Sequence, residues 1–409
     1  MASTSRIPEL SATIAANTAV LDDYLKTYNA PQPSFDVNGH ASLIYPPDID
    51  AAKEAIEEAT QELNELVQSP RALLMGSANI FAARAFIFKF DIGELVQADG
   101  SISYEDLATS TGVNQGALEA LLRLAIAHRI FAEPIAGRVA HSAASNFLRE
   151  PSIATAGKAF ADDYFPTSAT IARALFEHPQ ANEPTQAAAA VLNCAGGKKS
   201  LYEILADHPQ RAKVIRDTIS LWKQLPGFSW NHLVIGFDWV VSPSAASFAV
   251  GAKFSHLRWI VQDLASGLAG HPPVPDEADI DFMEHDFFQP QPKATQGAAI
   301  FFMRWILHTW SDVHCYGILQ ALIPSLTRGS TVLVMEQLMP VHGSVSIIRE
   351  RGIRDRDVGQ LGLYNGRGRD LEQWKRLFAE ANGKGRFRFA GVSQPEGSVL
   401  AVLEVVWEG

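Results

Sequence analysis

Beyond the breaker Leu225-Pro226-Gly227, seven short apolar runs alternate with longer stretches of mixed polarity, and no other feature restricts the fold of the chain as much. The runs are HLVIGF (232–237), RWIVQD (258–263), IDFMEHD (280–286), AAIFFMRWI (298–306), STVLVMEQL (330–338), RFRFAGV (386–392) and SVLAVLEVVW (398–407). A strand that is apolar on both faces must be covered on both, and helices between consecutive strands provide that cover. The pattern predicts an α/β architecture with a Rossmann-like, doubly wound and mostly parallel sheet. Only a turn around Pro395-Glu396-Gly397 separates the last two runs, so they should close one edge as an antiparallel hairpin.

The amino-terminal part reads differently. Ala52, Ala55, Ile56, Ala59, Leu63, Leu66 and Val67 recur at helical spacing and form a stripe that needs a partner. From Ser101 a short helix, a turn at Gly112, a second helix capped by Asn114 and a strand pair turning at Gly137 together predict a winged helix. The expected organisation is a helical and winged-helix dimerisation domain over 1–150, a helical linker and substrate-lid region over 151–228, and the α/β domain over 229–409.

Winged helices often bind DNA, which makes the second helix the place to look for a nucleic-acid function. It offers Arg123, His128 and Arg129 among Leu118, Leu121, Leu122, Leu124 and Ile126, a set dominated by core residues. The formal charge of −11 also opposes a phosphate partner. A small-molecule substrate is expected, with no nucleic acid and no membrane. Two cysteines, Cys194 and Cys315, define neither a disulfide framework nor a metal site, so no metal is expected. The start MASTSRIPEL has no apolar core, and the stretch AAIFFMRWIL is short and interrupted by Arg304, which points to a soluble cytoplasmic protein.

Five strings fall in a characteristic order: IVQDL (260–264), HDFFQPQP (285–292), MRWILHTWSD (303–312), VMEQLMP (334–340) and NGRGRDLEQWKRLF (365–378). With the order winged helix, helical linker, nucleotide-type sheet, they resemble class I S-adenosylmethionine (SAM) dependent O-methyltransferases of the caffeic acid O-methyltransferase type. The resemblance implies a methyltransferase-like sheet domain and a homodimer through the amino-terminal helices. It places Asp263 where the family binds the SAM ribose and Asp286 with Phe287 where it brackets the adenine, although acidic residues cap strand ends in any such sheet. His308 matches the general base that takes the substrate hydroxyl proton, a task suited to an imidazole. Glu336 matches one carboxylate that orients this His. Thr309 stands where the family usually has Asp, and Gly368 where it has a second orienting acid.

The first loop departs from the family altogether. Where the family writes V-D-V-G-G-G-x-G, this chain writes Phe237, Asp238, Trp239, Val240, Val241, Ser242, Pro243, Ser244, with no glycine. Glycines serve such a loop because the backbone takes positive φ and passes close to the ligand. A β-branched residue forced there costs roughly 1–3 kcal/mol, so two such positions would weaken SAM binding by about a hundredfold or more. A rearranged loop could still bind SAM.

Arg356 and Asp357, in RDRDVGQL, lie on the helix expected beneath the substrate, where the resemblance extends to methyltransferase-like pericyclases of fungal 2-pyridone and polyketide biosynthesis. They also belong to a charge run, Arg349 to Asp357, that a solvated helix face would explain. The sequence therefore points to a pericyclase that acts without a cofactor. It would dehydrate an alcohol to a quinone methide and close it by Alder-ene or hetero-Diels-Alder cyclisation. In that scheme His308 is base or donor, Glu336 holds it, Asp357 orients or relays a proton, Arg356 polarises a carbonyl, and Asp263, Asp286 and Phe287 are vestigial. The alternative is a SAM-dependent O-methyltransferase acting on a small phenolic or polyketide hydroxyl; a non-catalytic dimerising partner is a third class.

Overall fold

A computed structural model of the chain describes residues 5–40, 45–76, 79–181, 201–229, 232–233, 258–268, 279–381 and 386–409. Its contacts divide it into two compact units, where the sequence suggested three stretches cut at 150 and 228. One unit holds 1–166 with 213–218 and 345–351, and the other holds 167–212, 219–344 and 352–409.

In the first unit, α1 (Arg6–Thr27) and α2 (Pro47–Val67) pack together, with Leu10, Leu25, Ile49, Ala52 and Ala59 buried. Arg6 grips Glu62 with two hydrogen bonds of 2.7 and 2.6 Å. The stripe on α2 thus finds part of its cover within its own chain, while Leu66 and Val67 remain exposed. Between Pro70 and Lys89 the chain is long and apolar enough, by length and composition alone, to cross a membrane. Within it α3 (Asn79–Lys89) buries Ile80, Ala83, Phe86 and Ile87 in the unit's core.

The winged helix forms as its turn residues dictate. β1 (Ser101–Ser103), α4 (Tyr104–Thr111), α5 (Gln115–Ala127), β2 (Phe131–Ile135) and β3 (Arg138–His141) follow in order, with strand order β1-β3-β2. Gly112 ends α4 at φ +69 and Gly137 turns the hairpin at φ +82, the left-handed backbone that a residue without a Cβ adopts freely. Asn114 Oδ1 accepts the Ala117 amide at 3.2 Å and caps α5. Leu118 and Leu122 are fully buried, and Arg123 lies between Glu119 and Glu133 over the Tyr104 ring.

In the second unit β4 (Trp259–Asp263) pairs in parallel with β5 (Ile280–Glu284). β6 (Ile300–Arg304) pairs in parallel with β7 (Thr331–Glu336); β9 (Ala401–Trp407) then inserts antiparallel between β7 and the edge strand β8 (Phe387–Ser393). The closing hairpin is therefore as its turn predicts. Of the first apolar run, only His232 and Leu233 are described, in a helical turn and not in a strand. Its remaining residues, Val234 to Phe237, and the Asp238–Ser244 loop lie outside the described residues.

β7 shows why the runs are continuous. Val332 and Val334 face one core with α8 (Asp312–Leu322) and α10 (Leu371–Glu380), and Leu333 and Met335 face the other with Trp259 and Leu400. Each such side chain contributes about 1.5–3 kcal/mol by leaving water. α10 starts from a reciprocal cap between Asp370 and Gln373 and buries Trp374, Leu377 and Phe378 at helical spacing. α9 (Ile347–Tyr364) precedes it, and α6 (Phe165–Glu177) and α7 (Pro209–Gln224) lie earlier in the chain.

Candidate functional site

At the carboxyl end of β6 the chain turns sharply. Trp305 takes φ +57, an outlier for an aromatic residue, and Leu307–Thr309 form a tight helical turn. Thr309 closes that turn by donating its hydroxyl to the Ile306 carbonyl at 2.9 Å, which explains a Thr where the family has Asp. The turn brings His308 over the end of the neighbouring strand, where its Nδ1 lies 2.7 Å from Glu336 Oε2. Glu336 is 2% exposed and His308 18%. A carboxylate at Nδ1 holds the proton there and leaves Nε2 with its lone pair, the arrangement of a base with its orienting acid. Arg304 sits close by, its guanidinium pushed down to about 10 by burial against the opposing pull of Glu336.

A second segment fixes the turn from behind. The Arg367 amide donates to the His308 carbonyl at 3.0 Å. At Gly366 an added Cβ would stand 2.5 Å from that same oxygen, so the close approach requires glycine. Arg369, 1% exposed, donates to the Leu307 carbonyl at 2.9 Å, to the Trp310 carbonyl at 2.8 Å, and to Asp312 Oδ1 at 2.9 and 2.8 Å. Carbonyls on both sides of His308 are thereby tied to one guanidinium. Burial pushes the Asp312 carboxyl up, but hydrogen bonds from Arg367 and Arg369 outweigh it and hold the group below the usual carboxylate range. Beneath them, burial pushes the Cys315 thiol up to about 12, so it carries no thiolate chemistry. Nothing in the sequence singled out Arg369 or Gln337.

Gly368 occupies the place of the family's second acid, and the structure shows what replaced it. A Cβ there would collide with Met339 Sδ and approach Asp357 Oδ1 to 3.0 Å. The Gly368 amide donates to that Asp357 oxygen. Asp357 is thus engaged in tying α9 to the 366–369 segment, and no hydrogen bond joins it to His308 among the described residues. This bond gives Asp357 a place in holding the 366–369 segment, and a part in orienting or relaying a proton stays with the resemblance. Arg356 donates from Nε to Gln337 Oε1 at 3.1 Å, and burial pushes its guanidinium down. Arg356 is thus tied to the residue that follows Glu336 in the chain. The charge run divides: Arg351 pairs with Glu65 on the exposed surface, whereas Arg356 is half-buried.

The nucleotide side is simpler. Asp263 ends β4, exposed, and its Oδ1 accepts the Leu264 amide at 2.7 Å. Asp286 Oδ1 accepts the Phe288 amide at 3.0 Å and shapes the turn after β5. Phe287 and Phe288 pack edge-on to Trp310, with centroids 6.2 and 4.8 Å away. An exposed carboxylate with an oxygen to spare suits a ribose diol, and the aromatic group of Phe287, Phe288 and Trp310 suits a purine, so these residues fit the nucleoside half of SAM. Among the described residues no group of three or more His, Cys, Asp or Glu could hold a metal ion.

Comparison with known proteins adds a lineage. A model of the O-methyltransferase domain matches residues 243–383. The chain is 32% identical over 421 aligned residues to the O-methyltransferase gsfB of Penicillium aethiopicum, with 99% of each chain covered. It is 33% identical over 431 residues to the O-methyltransferase pyvH of Aspergillus violaceofuscus, again covering 99% of each. Among solved structures it matches LepI in complex with SAM at TM-score 0.68 and 18% identity, over 97% of this chain and 99% of that one. It also matches a pericyclic reaction enzyme at TM-score 0.67 and 18% identity, over 97% and 100%. At these identities the structural likeness shows the fold alone.

Proposed function

The chain belongs to the O-methyltransferase family and has the class I methyltransferase fold; from that premise we propose that it is a SAM-dependent O-methyltransferase acting on a hydroxyl of a small aromatic or polyketide-derived molecule. The observation that carries the reading is the buried His308–Glu336 pair at 2.7 Å. Asp263, Asp286 and Phe287 would hold the nucleoside, and SAM when bound supplies an electrophilic methyl group. His308 takes the substrate hydroxyl proton at Nε2, and Glu336 keeps the ring oriented and stabilises the imidazolium that forms. Such a base contributes about 10²–10⁴-fold. The exposed Leu66, Val67, Leu73, Leu74 and Met75 support a homodimer through the amino-terminal helices.

The glycine-free loop at Phe237–Ser244 favours a second reading. There the same fold would convert a polyketide or 2-pyridone alcohol by dehydration to a quinone methide and Alder-ene or hetero-Diels-Alder closure, with no methyl transfer. His308 would remove the proton, Arg356 would polarise a carbonyl, and the nucleoside residues would be vestigial. Isothermal titration with SAM, followed by a search for methylated product across a panel of phenols, decides between the two. Micromolar affinity with methylated product is the expected result. No SAM binding, with accelerated and selective cyclisation of an alcohol precursor, would overturn it in favour of the second reading.

A further inference from the structure

One residue with no part in the proposed proton transfer is bonded to the segments that carry both members of the dyad. The main chain of Arg369 lies against the continuation of β7: Leu338 and Arg369 form a parallel bridge, and the Arg369 carbonyl accepts the Met339 amide at 3.0 Å. Leu338 stands two residues beyond Glu336. The side chain of Arg369 grips the other segment, donating to the carbonyl just before His308, that of Leu307, and to the carbonyl of Trp310 just after the turn. The buried Cys315 thiol is a second, weaker donor to the same two oxygens, at 3.4 and 3.6 Å. Asp312 Oδ1 accepts two bonds from the guanidinium, and the Trp374 ring centre lies 5.2 Å from its central carbon, so the planar fork has one place to sit.

The His308 turn needs such a hold. β6 and β7 are paired as far as Arg304 and Met335, and the Trp305 amide adds one long bond of 3.4 Å to the Met335 carbonyl. At Trp305 the backbone leaves the strand, so His308 stands three residues past the end of the ladder. We infer that Arg369 is a positioning residue for the proton transfer: by joining the two segments it sets the register of the His308 turn over Glu336. The inference rests on the reading of His308 as the base. A slip of a few tenths of an ångström lengthens the contact between Nδ1 and Oε2. The neutral ring can then carry its proton on either nitrogen, and a ring protonated at Nε2 has no lone pair there to receive one.

Long-range proton–nitrogen NMR on the full chain reads which nitrogen of the neutral His308 ring carries the proton in the folded state. The ratio of the Nδ1-protonated to the Nε2-protonated form should fall about tenfold or more in Arg369→Met, the worth of one charge-assisted hydrogen bond. It should fall by a smaller factor in Arg369→Lys, which keeps the charge and lacks the planar fork that serves two carbonyls and a carboxylate together. The lysine variant keeps the test decisive should Arg369→Met fold poorly. Phe387→Ala empties a buried site on β8, at the edge of the sheet opposite β6, and should leave the ratio unchanged although it loosens the core. An unchanged ratio in both Arg369 variants would overturn the inference. So would a shift in Arg369→Met with none in Arg369→Lys, which would assign the effect to charge, or an equal shift in Phe387→Ala, which would assign it to general loosening. A shifted ratio in a protein that transfers no methyl group from SAM to a panel of phenols would retire the methyltransferase reading and leave the role of Arg369 standing; methyl transfer with the ratio unchanged in both variants would do the reverse.

Discussion

The two sheets of the second unit treat their functional side chains very differently. Around β6 and β7, His308 is fixed by Glu336 through its ring, by Arg367 through its own carbonyl, and by Arg369 through the carbonyls of Leu307 and Trp310. At the end of β4, Asp263 is exposed and its carboxylate meets one local amide. Proton transfer needs one geometry held to a few tenths of an ångström, and the first region over-determines it. Holding a nucleoside draws on a whole loop, and in this chain that loop has lost its glycines. The cofactor loop of this chain thus carries no glycine, while the proton-handling side, with Gly368 in place of one orienting acid, keeps the His308–Glu336 pair and its backbone supports.

The comparison predicts outcomes of graded size. His308→Ala should lower turnover by about a hundredfold or more while the thermal melt stays in place; an unchanged rate would remove His308 from the chemistry. Arg369→Met should cost about 3–5 kcal/mol in urea denaturation, because it strips a buried ion pair and leaves two carbonyls without donors. Asp263→Ala should leave stability unchanged and weaken SAM binding about tenfold, the worth of one or two hydrogen bonds. If the Asp263 variant is the less stable of the two, the contrast between the two sheets fails. The smallest effect concerns pH. Asp312 has its folded pKa lowered below the unfolded value, so the stability it contributes is present above the ordinary carboxylate range and is lost as pH falls through the folded pKa. Denaturation midpoints should decline on acidification, and less steeply in Asp312→Asn.

Much of this architecture could be read from the chain because it is locally encoded. Gly112, Asn114 and Gly137 specify the winged helix through turn and cap chemistry that needs no distant partner. The continuous apolar run of β7 announces a strand covered on both faces, and His308 and Glu336 lie in strings whose order places them on adjacent strand ends. Other features depend on contacts far apart in sequence. Arg369 sits in the charged run NGRGRDLEQWK and looks like a surface residue, yet its partners Leu307, Trp310 and Asp312 lie about sixty residues earlier. The bond from the Gly368 amide to the Asp357 carboxylate joins two segments that the sequence does not show to be neighbours. No propensity flags Trp305 for a left-handed backbone, since the strain is imposed by the turn that delivers His308. The charge run at 349–357 answered to both of its readings, with Arg351 on the surface and Arg356 turned to Gln337.

The central claim is that Glu336 holds the Nδ1 proton and leaves Nε2 of His308 as the base. Long-range proton–nitrogen NMR of the histidine rings, with His308 assigned by comparison with His308→Gln, reads this directly. In the neutral form Nδ1 should show the shift of a protonated, pyrrole-like nitrogen and Nε2 that of a bare, pyridine-like one. The opposite pair of shifts would mean that the proton sits on the nitrogen meant to receive one, and the account of the site would be wrong.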